Sequence, residues 1–276
     1  MIDALAKKRK DTGMDSLKLP EGVFSSQFSL RYSDVQAKGQ LSLIAFLDYL
    51  QQTAGDHTES LGFGYREQLS QGTFWVLSRL SAEVSTWPQW PRTVQVNTWA
   101  RGHKGLLALR DFSLTQNHEV FARASSAWVI LKNKRPQRPE NWTNIYQLVT
   151  PESPFEESPP VLPLPVHRPE DWAQNLCYRT RSIESGWNDI DMNGHVNNRI
   201  SVSWCLAAHR HDFLSTHQIQ RLDVNFLGEI LVDQTYNLCW EAPFPSEALV
   251  WNYALFPAGQ TEPVLRVRIT WRESRS

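Results

Sequence analysis

The hydrophobic positions of the chain change period several times, and each period predicts one kind of element. Between Val23 and Tyr32 polar and apolar residues partly alternate, which predicts a strand. From Leu41 to Leu61 apolar residues recur every three or four positions, which is typical of an amphipathic helix, and Ser42 is suited to be its N-cap. Strand-like patterns follow at 74–84, 93–99, 106–115 and 120–131. A helix followed by several strands with short turns predicts an α+β layer, in which one antiparallel sheet packs on one helix.

The second half of the chain repeats this order. A strand is expected at 178–183 and a helix from the end of the polar motif at 187–198 to about Phe213. A shift of 155 residues places 32–41 on 187–196, and further on Arg79-Leu80 resembles Arg221-Leu222. Four strands are expected after the helix, at 221–226, 234–240, 249–256 and 263–271. The sequence therefore predicts two copies of one helix-plus-sheet unit.

A proline-rich segment separates the two copies. Prolines at 151, 154, 159, 160, 163 and 165 indicate a stiff linker with polyproline character. We therefore divide the chain into a flexible tail at 1–22, an N-terminal unit at 23–150, a linker at 151–170 and a C-terminal unit at 171–276.

The motif W-N-D-I-D-M-N-G-H-V-N-N at 187–198 concentrates polar chemistry just before the second helix. Asp191, Asn193 and His195 alternate, and His195 carries the side chain that titrates nearest neutral pH. Three interpretations are open: an active site, an Asx-rich turn that caps the helix, and a metal site. No further His or Cys cluster with ligand spacing follows, so no metal is expected.

The first copy of the motif helps to choose among these interpretations. In the aligned positions it has Gln36, Lys38 and Gln40 in place of the Asp, Asn and His. A purely structural turn should need similar residues in both copies. The difference therefore favours chemistry at the second copy.

Composition excludes several classes of protein. Of 276 residues 41% are hydrophobic, and the net charge is −1, which gives no reason to expect binding to nucleic acid or to an anionic membrane. No apolar run has transmembrane length, and the basic residues at 7–10 are not followed by the apolar core of a secretory signal. The three cysteines are odd in number and widely spaced, which predicts free thiols in a reducing compartment, and we expect a cytoplasmic protein. Cys205 lies on the apolar stripe of the second helix and is expected in the core.

The motif at 187–198 resembles the signature of the acyl-acyl-carrier-protein (acyl-ACP) thioesterases of plants and bacteria. Segments at 50–57, 93–99 and 123–129 also resemble that family, and the likeness extends from about Val23 to Trp271. The resemblance implies an α+β fold of two tandem hotdog domains, each a long helix wrapped by an antiparallel sheet. It also implies hydrolysis of fatty acyl-ACP to free fatty acid and ACP, with no cofactor.

The resemblance implies which residues form the active site. Asp191, Asn193 and His195 correspond to the family's motif, and Glu229 corresponds to a further Glu on the strand after the helix. Many plant members have a Cys after that Glu, where this chain has Ile230, so we expect water and not a thiolate to attack the thioester. N–H groups at 196–198 are expected to stabilise the oxyanion.

Binding residues are expected in two places. The first unit has lost the polar set and is expected to form the acyl pocket, with candidates Leu43, Phe46, Leu47, Leu50 and Trp75. His57, on the same helix stripe, is expected to be a core histidine. Basic residues are expected to meet the acidic ACP, and the candidates are Lys132, Lys134, Arg135, Arg138, Arg179 and Arg181.

Other functions stay open at this stage. The same chemistry would serve an acyl-CoA thioesterase. A hotdog dehydratase or hydratase would need a different His-containing loop, and a non-catalytic acyl- or ACP-binding module would not need the polar set. Acyl chain length is not readable, and the chain can be a monomer or a homodimer.

Overall fold

The computed structural model describes residues 20–138, 151–163, 178–241 and 249–274. The helices are α1 (Leu43–Ser60), α2 (Tyr65–Gln71), α3 (Asn198–Ser203) and α4 (His211–Thr216). The strands are β1 (Phe24–Ser29), β2 (Thr73–Val84), β3 (Thr93–Lys104), β4 (Leu107–Gln116), β5 (Glu119–Lys132), β6 (Arg135–Gln137), β7 (Tyr178–Glu184), β8 (His217–Phe226), β9 (Thr235–Glu241), β10 (Val250–Pro257) and β11 (Leu265–Glu273).

The eleven strands form one continuous antiparallel sheet. The strand order is β1-β3-β4-β5-β2 in the first unit and β7-β9-β10-β11-β8 in the second, and the short strand β6 pairs with β5. The two orders match strand by strand, which confirms the predicted repeat. β2 and β8, equivalent strands of the two units, pair with each other and make the sheet continuous. The antiparallel α+β architecture agrees with the expected pair of tandem hotdog units.

Helix α1 is the element around which the first unit is built. Ser42 accepts a hydrogen bond from the N–H of Ala45 at 3.1 Å, so the predicted N-cap is confirmed. Gly62, with φ of 75°, follows the last turn in the left-handed region where a side chain would be strained. The buried face of α1 consists of Leu43, Ala45, Phe46, Leu47, Tyr49, Leu50, Thr53, Ala54 and His57.

The long helix predicted in the second unit is wrong. α3 ends at Ser203, a 3-10 turn covers Trp204–Ala208, and His209 is extended (φ −108°, ψ 148°) before α4 begins. The ring of His209 packs against Phe213 and Trp251, and its Nε2 lies 2.5 Å from the hydroxyl of a buried tyrosine. We infer that the helix breaks because His209 takes a half-buried position among aromatic rings that a continuous helix would not give it. Burial lowers the pKa of His209 to about 4.

Residues 151–163 of the predicted linker lie across the sheet as an ordered strap. Asn225 of β8 accepts a hydrogen bond from the N–H of Leu162 at 2.7 Å and donates one to the carbonyl of Pro160 at 2.9 Å. Arg101 of β3 donates to the carbonyl of Phe155 at 2.7 Å. The strap therefore contacts both units. Residues 1–19 and 164–177, which include most of the expected tail and the rest of the expected linker, lie outside the described residues.

Candidate active site

The polar motif and its first-unit counterpart fold into the same loop. An isolated bridge joins Val35 to Leu41 in one and Ile190 to Val196 in the other, which confirms the shift of 155 residues. Two further backbone hydrogen bonds occur in both loops. The N–H of Gly39 donates to the carbonyl of Gln36, as that of Gly194 does to Asp191. The N–H of Ser42 donates to the carbonyl of Asp34, as that of Asn197 does to Asp189. The two loops therefore share one backbone structure, and they differ in the side chains that they present.

Asp191 holds the shape of the second loop. Its Oδ1 accepts a hydrogen bond from the N–H of Asn193 at 2.8 Å, which is an Asx turn. Its own N–H donates to the carbonyl of His195 at 2.8 Å. Gly194 follows with φ of 78°, a conformation that favours glycine. The Asx turn that the sequence offered as one interpretation is therefore present in this loop, and it does not exclude a role in chemistry.

Glu229 reaches the loop from the segment after β8. The N–H of Val196 donates to the carbonyl of Ile230 at 2.7 Å, and His195 forms a bridge with Leu231. These contacts place Nε2 of His195 3.6 Å from Oε2 of Glu229. The side chain of His195 is 37% exposed and that of Glu229 is 69% exposed, so both reach solvent. His195 and Glu229 thus meet near the surface, and Asp191 and Asn193 lie in the same loop as His195.

The corresponding place in the first unit has no such cluster. The N–H of Leu41 donates to the carbonyl of Pro88, as that of Val196 does to Ile230, so Trp87 stands where Glu229 stands. Trp87 is buried and its indole N–H donates to the carbonyl of Ile219 at 2.8 Å. The first unit has therefore replaced the polar group with a core residue.

The predicted acyl-pocket residues separate into two groups. Leu47 and Leu50 line a cavity of about 30 Å³ beside Asn198 at the start of α3. Trp75 lies on the same face of β2 as Leu77, which also lines that cavity. We refer to the cavity lined by Leu47, Leu50 and Leu77 as the active-side cavity. Its other lining residues are Gln51, Leu80, Phe112, Ser126, Trp128, Arg199 and Phe226.

Leu43 and Phe46 belong elsewhere. Leu43 lines a separate cavity that also contains Lys38. Phe46 is buried and its ring packs edge-on against Trp87. Leu43 and Phe46 lie one turn before Leu47 and Leu50 on the same face of α1, so they are displaced along the helix axis and contact different neighbours. The structure therefore does not place them at the active-side cavity.

The expected oxyanion donors need correction. The N–H groups of Val196 and Asn197 already donate to the carbonyls of Ile230 and Asp189, at 2.7 and 2.8 Å. Among the three expected donors, Asn198 has no such bond in the described part of the chain. The side chain of Asn197 instead caps α3, accepting from the N–H of Arg199 at 3.1 Å.

Sequence reasoning missed Arg199, the residue that follows the motif. Its Nε lies 3.3 Å from Oδ1 of Asp48 on α1, and it lines the active-side cavity. The ion pair joins the helix of the first unit to the motif of the second. The position of Arg199 directly after the motif could have indicated a role near the site. Its partner Asp48 could not be predicted, because sequence spacing does not show which residue of α1 lies opposite.

The described cysteines are not candidates for the nucleophile. Cys205 and Cys239 are free and buried, and burial raises the pKa of both thiols. Cys177 lies outside the described residues. Among the described residues no group of three His, Cys, Asp or Glu side chains is arranged to hold a metal ion.

Comparison with family models decides the relationship. The model of the acyl-ACP thioesterase N-terminal domain matches residues 21–144, and the model of the C-terminal domain matches residues 176–273. The chain belongs to the acyl-ACP thioesterase family. The resemblance inferred from the motif is therefore confirmed.

Relatives within the family have several substrate names. A palmitoyl-ACP thioesterase of Gossypium hirsutum is 30% identical over 223 residues, which cover 75% of this chain and 52% of the relative. A dodecanoyl-ACP hydrolase of Cinnamomum camphora is 27% identical over 267 residues, covering 92% of this chain and 69% of the relative. The chain spans about half the length of the first of these and of several similar relatives. Both named relatives are described as chloroplastic.

Solved structures of this family have the same fold. A putative oleoyl thioesterase of Lactobacillus plantarum superposes with a TM-score of 0.77 at 21% identity, covering 92% of this chain and 97% of that one. A 12:0-ACP thioesterase of Umbellularia californica superposes with a TM-score of 0.74 at 22% identity, covering 91% and 94%. These matches confirm the tandem hotdog fold. None of the described helices has the length and apolar character needed to cross a bilayer.

Proposed function

We propose that this chain hydrolyses the thioester of fatty acyl-ACP and releases a free fatty acid and ACP. Family membership supports the substrate class. The observation that carries the proposal is the approach of His195 to Glu229, with 3.6 Å between Nε2 and Oε2, in the unit that kept the motif. The names of the relatives differ in acyl chain length, so chain length is left to experiment.

The pair His195 and Glu229 activates the attacking water. The separation of 3.6 Å is longer than a direct hydrogen bond, and a water molecule can bond to both groups at once. One of the two side chains accepts a proton from that water as its oxygen attacks the thioester carbonyl carbon. The tetrahedral intermediate then collapses, the C–S bond breaks, and the proton passes to the leaving thiolate of ACP.

Asp191 and Asn193 have different roles in the proposal: Asp191 positions the loop, and Asn193 contacts the substrate. The carboxylate of Asp191 accepts a hydrogen bond from the N–H of Asn193, and among the described residues it makes none with the ring of His195. We therefore propose that Asp191 acts by holding the loop. The side chain of Asn193 is exposed and can donate to the thioester carbonyl oxygen. With the N–H groups of Val196 and Asn197 occupied, Asn193 and the N–H of Asn198 are the proposed oxyanion donors.

A covalent acyl-cysteine is not part of the proposal. Ile230 is buried and follows Glu229, at the position where many plant members have Cys. The thiols of Cys205 and Cys239 are enclosed in the core, and their raised pKa keeps them protonated. Water is therefore the proposed nucleophile. Buried free thiols also support our expectation of a reducing compartment, which we propose to be the cytoplasm.

A basic hairpin is the proposed contact for ACP. Thr73, at the start of β2, pairs with Lys132 at the end of β5, and antiparallel β8 ends toward the start of β2. The turn between β5 and β6 therefore lies at the end of the sheet from which the segment carrying Glu229 departs. Lys132, Lys134 and Arg135 in this hairpin are exposed and can attract an acidic carrier. Arg179 and Arg181 lie on edge strand β7, and Arg181 donates to the carbonyl of Ala207.

The proposal is tested with acyl-ACP substrates of several chain lengths and the matching acyl-CoA esters, with release of free thiol as the signal. We expect kcat/KM to be higher for the ACP esters, and to fall about 100-fold or more in His195→Ala and Glu229→Ala. Gln40→Ala, at the position in the first unit that corresponds to His195, is the matched control and should keep the parent's activity. Turnover within a few-fold of the parent in both active-site variants would contradict the assignment. Tight binding of acyl-ACP with no turnover would show a binding module instead.

A further inference from the structure

A second cavity lies away from the proposed active site. It has a volume of about 220 Å³, compared with about 150 Å³ for an engineered protein cavity that binds benzene. It lies between the first-unit loop at 36–41 and the start of β8 with α4 in the second unit. We refer to it as the vestigial-side cavity. Its lining includes Lys38, Trp87, His211, His217, Trp271 and Ser274.

This cavity is the counterpart of the active site in the repeat. Its loop residues Gln36, Lys38 and Gln40 correspond to Asp191, Asn193 and His195 under the shift of 155 residues. Trp87, in its wall, stands in the place of Glu229, as the equivalent hydrogen bonds from Leu41 and Val196 establish. The two-unit fold thus builds this position twice. One copy carries the polar cluster, and the other keeps a larger cavity without it.

The walls of this cavity are apolar and its polar rim is basic. Leu41, Leu43, Trp87, Ile219 and Trp271, which form its walls, are all buried. Such a surface binds an alkyl chain through removal of apolar area from water.

The rim carries one lysine and two histidines. Lys38 is exposed and its Nζ donates to the carbonyl of Ser215 at 2.9 Å. His211 and His217 lie beside it in the lining, and no Asp or Glu occurs among the described lining residues. Two acids flank the lining without being part of it: Asp212, whose carboxylate lies 4.0 Å from Nδ1 of His211, and Glu273, which pairs with His217 between β11 and β8. An anionic head group suits this rim and a cationic one does not.

We infer that the vestigial-side cavity binds a free fatty acid, with its carboxylate at Lys38 and its tail between Trp87 and Trp271. The straight alkyl tail rests on the proposed function, because the cavity is the counterpart of a site for acyl chains. The carboxylate rests on the charge of the rim alone. Binding here does not require turnover, so this inference and the proposed hydrolysis can fail separately.

The experiment is a titration of the full chain with decanoate, followed through the indole N–H signals of isotope-labelled tryptophan. Trp87 and Trp271 line this cavity and Trp128 lines the active-side cavity, so the two sites have separate reporters. Single Trp→Phe variants assign the signals. We expect saturable shifts at Trp87 and Trp271 with decanoate, and a Kd about fivefold or more higher with decyltrimethylammonium.

Two variants and one control locate the ligand. Lys38 has φ of 67°, so Lys38→Asn is chosen because Asn tolerates this conformation, and it should raise the Kd about fivefold. Ser274→Trp, beyond the end of β11, should fill the cavity and abolish the shifts of Trp87. Gln51→Trp, at the active-side cavity, should leave them unchanged.

The inference is overturned if decanoate shifts Trp128 but neither Trp87 nor Trp271. Equal affinity for the cationic amphiphile, or an unchanged Kd in Lys38→Asn, would overturn the carboxylate assignment. These two results do not depend on whether Ser274→Trp folds.

Discussion

Ser81 of β2 donates a hydrogen bond to Asp223 of β8 at 2.6 Å, and the two residues also pair across the seam between the units. They occupy equivalent places, because Arg79 pairs with Asn225 and Glu83 with Arg221 on either side of them. Both side chains are buried. The Asp223 carboxylate also accepts from Nε and a terminal nitrogen of Arg221, at 2.9 and 3.1 Å. An asymmetric pair therefore stands at the centre of a nearly symmetric seam.

We expect Asp223→Ala to destabilise the fold by about 3 kcal/mol, because it leaves the buried hydroxyl of Ser81 without its acceptor and removes two hydrogen bonds of Arg221, which keeps only its contact with Glu83 among the described bonds. Ser81→Ala should cost about 1 kcal/mol, since it removes one of the three donors to Asp223. Urea denaturation measures both changes. Ser70→Ala, exposed on α2, is the control and should stay within about 0.5 kcal/mol of the parent. A loss below that value in Asp223→Ala would show that the seam does not depend on this pair.

A second prediction concerns the role of Asp191 as a positioning residue. Because its Oδ1 holds the N–H of Asn193, Asp191→Ala should lower kcat/KM about 10- to 100-fold by releasing the loop. Asp191→Asn keeps an oxygen acceptor and should recover most of that loss. Gln36→Ala, at the equivalent position of the first unit, should have no effect. If Asp191→Asn is as inactive as Asp191→Ala, the negative charge is required and the positioning role is wrong.

A third prediction separates the two cavities by substrate choice. Leu50 lines the active-side cavity, so Leu50→Phe should shorten it and change the ratio of kcat/KM for long over short acyl-ACP about tenfold toward short chains. Leu43 lines the vestigial-side cavity, and Leu43→Phe should leave the ratio unchanged. Both substitutions are on α1 and add similar volume, so each controls for the other. If the ratio changed in Leu43→Phe and not in Leu50→Phe, the acyl chain would lie in the vestigial-side cavity, which would contradict our proposal.

A fourth prediction follows from buried histidine. His57 accepts a hydrogen bond from Arg110 at 2.9 Å, and burial, together with Arg110, lowers the pKa of His57 to about 4. The unfolded chain, with a histidine pKa of 6.5, binds a proton that the fold excludes. The free energy of unfolding should therefore fall as pH decreases from 6.5 toward 4, and be unaffected by this group above that window.

The measurement is urea denaturation of the parent and of His57→Gln at about pH 7 and about pH 5. Gln can accept from Arg110 but does not titrate, so the variant should lose less stability on acidification. His211→Gln, at an exposed position, is the control and should behave as the parent does. An identical pH dependence in His57→Gln would contradict the prediction.

The structure also corrected particular sequence expectations. The second long helix was predicted because Ile200, Val202 and Cys205 are apolar at helical spacing, but the pattern does not reveal that the ring of His209 is enclosed by Phe213 and Trp251. The oxyanion donors were misplaced for a similar reason. The position of a residue in a helix indicates whether its N–H lacks an acceptor within that helix. It does not reveal that a distant segment provides an acceptor, as the carbonyl of Ile230 does for the N–H of Val196.

The sequence by itself determined the two-unit architecture, the N-cap of α1, most of the strand positions and the unit that holds the polar set. These properties are local, because residues only a few positions apart define the period of a helix or strand and the residues that a turn needs. Only the tertiary structure decided that Glu229 approaches His195, that Trp87 stands in its place in the first unit, and that Leu43 and Leu50 face different cavities. Such relationships depend on the register of antiparallel strands and on the packing of a helix between two units. Residue spacing does not encode either, because segments far apart in the chain supply the contacting atoms.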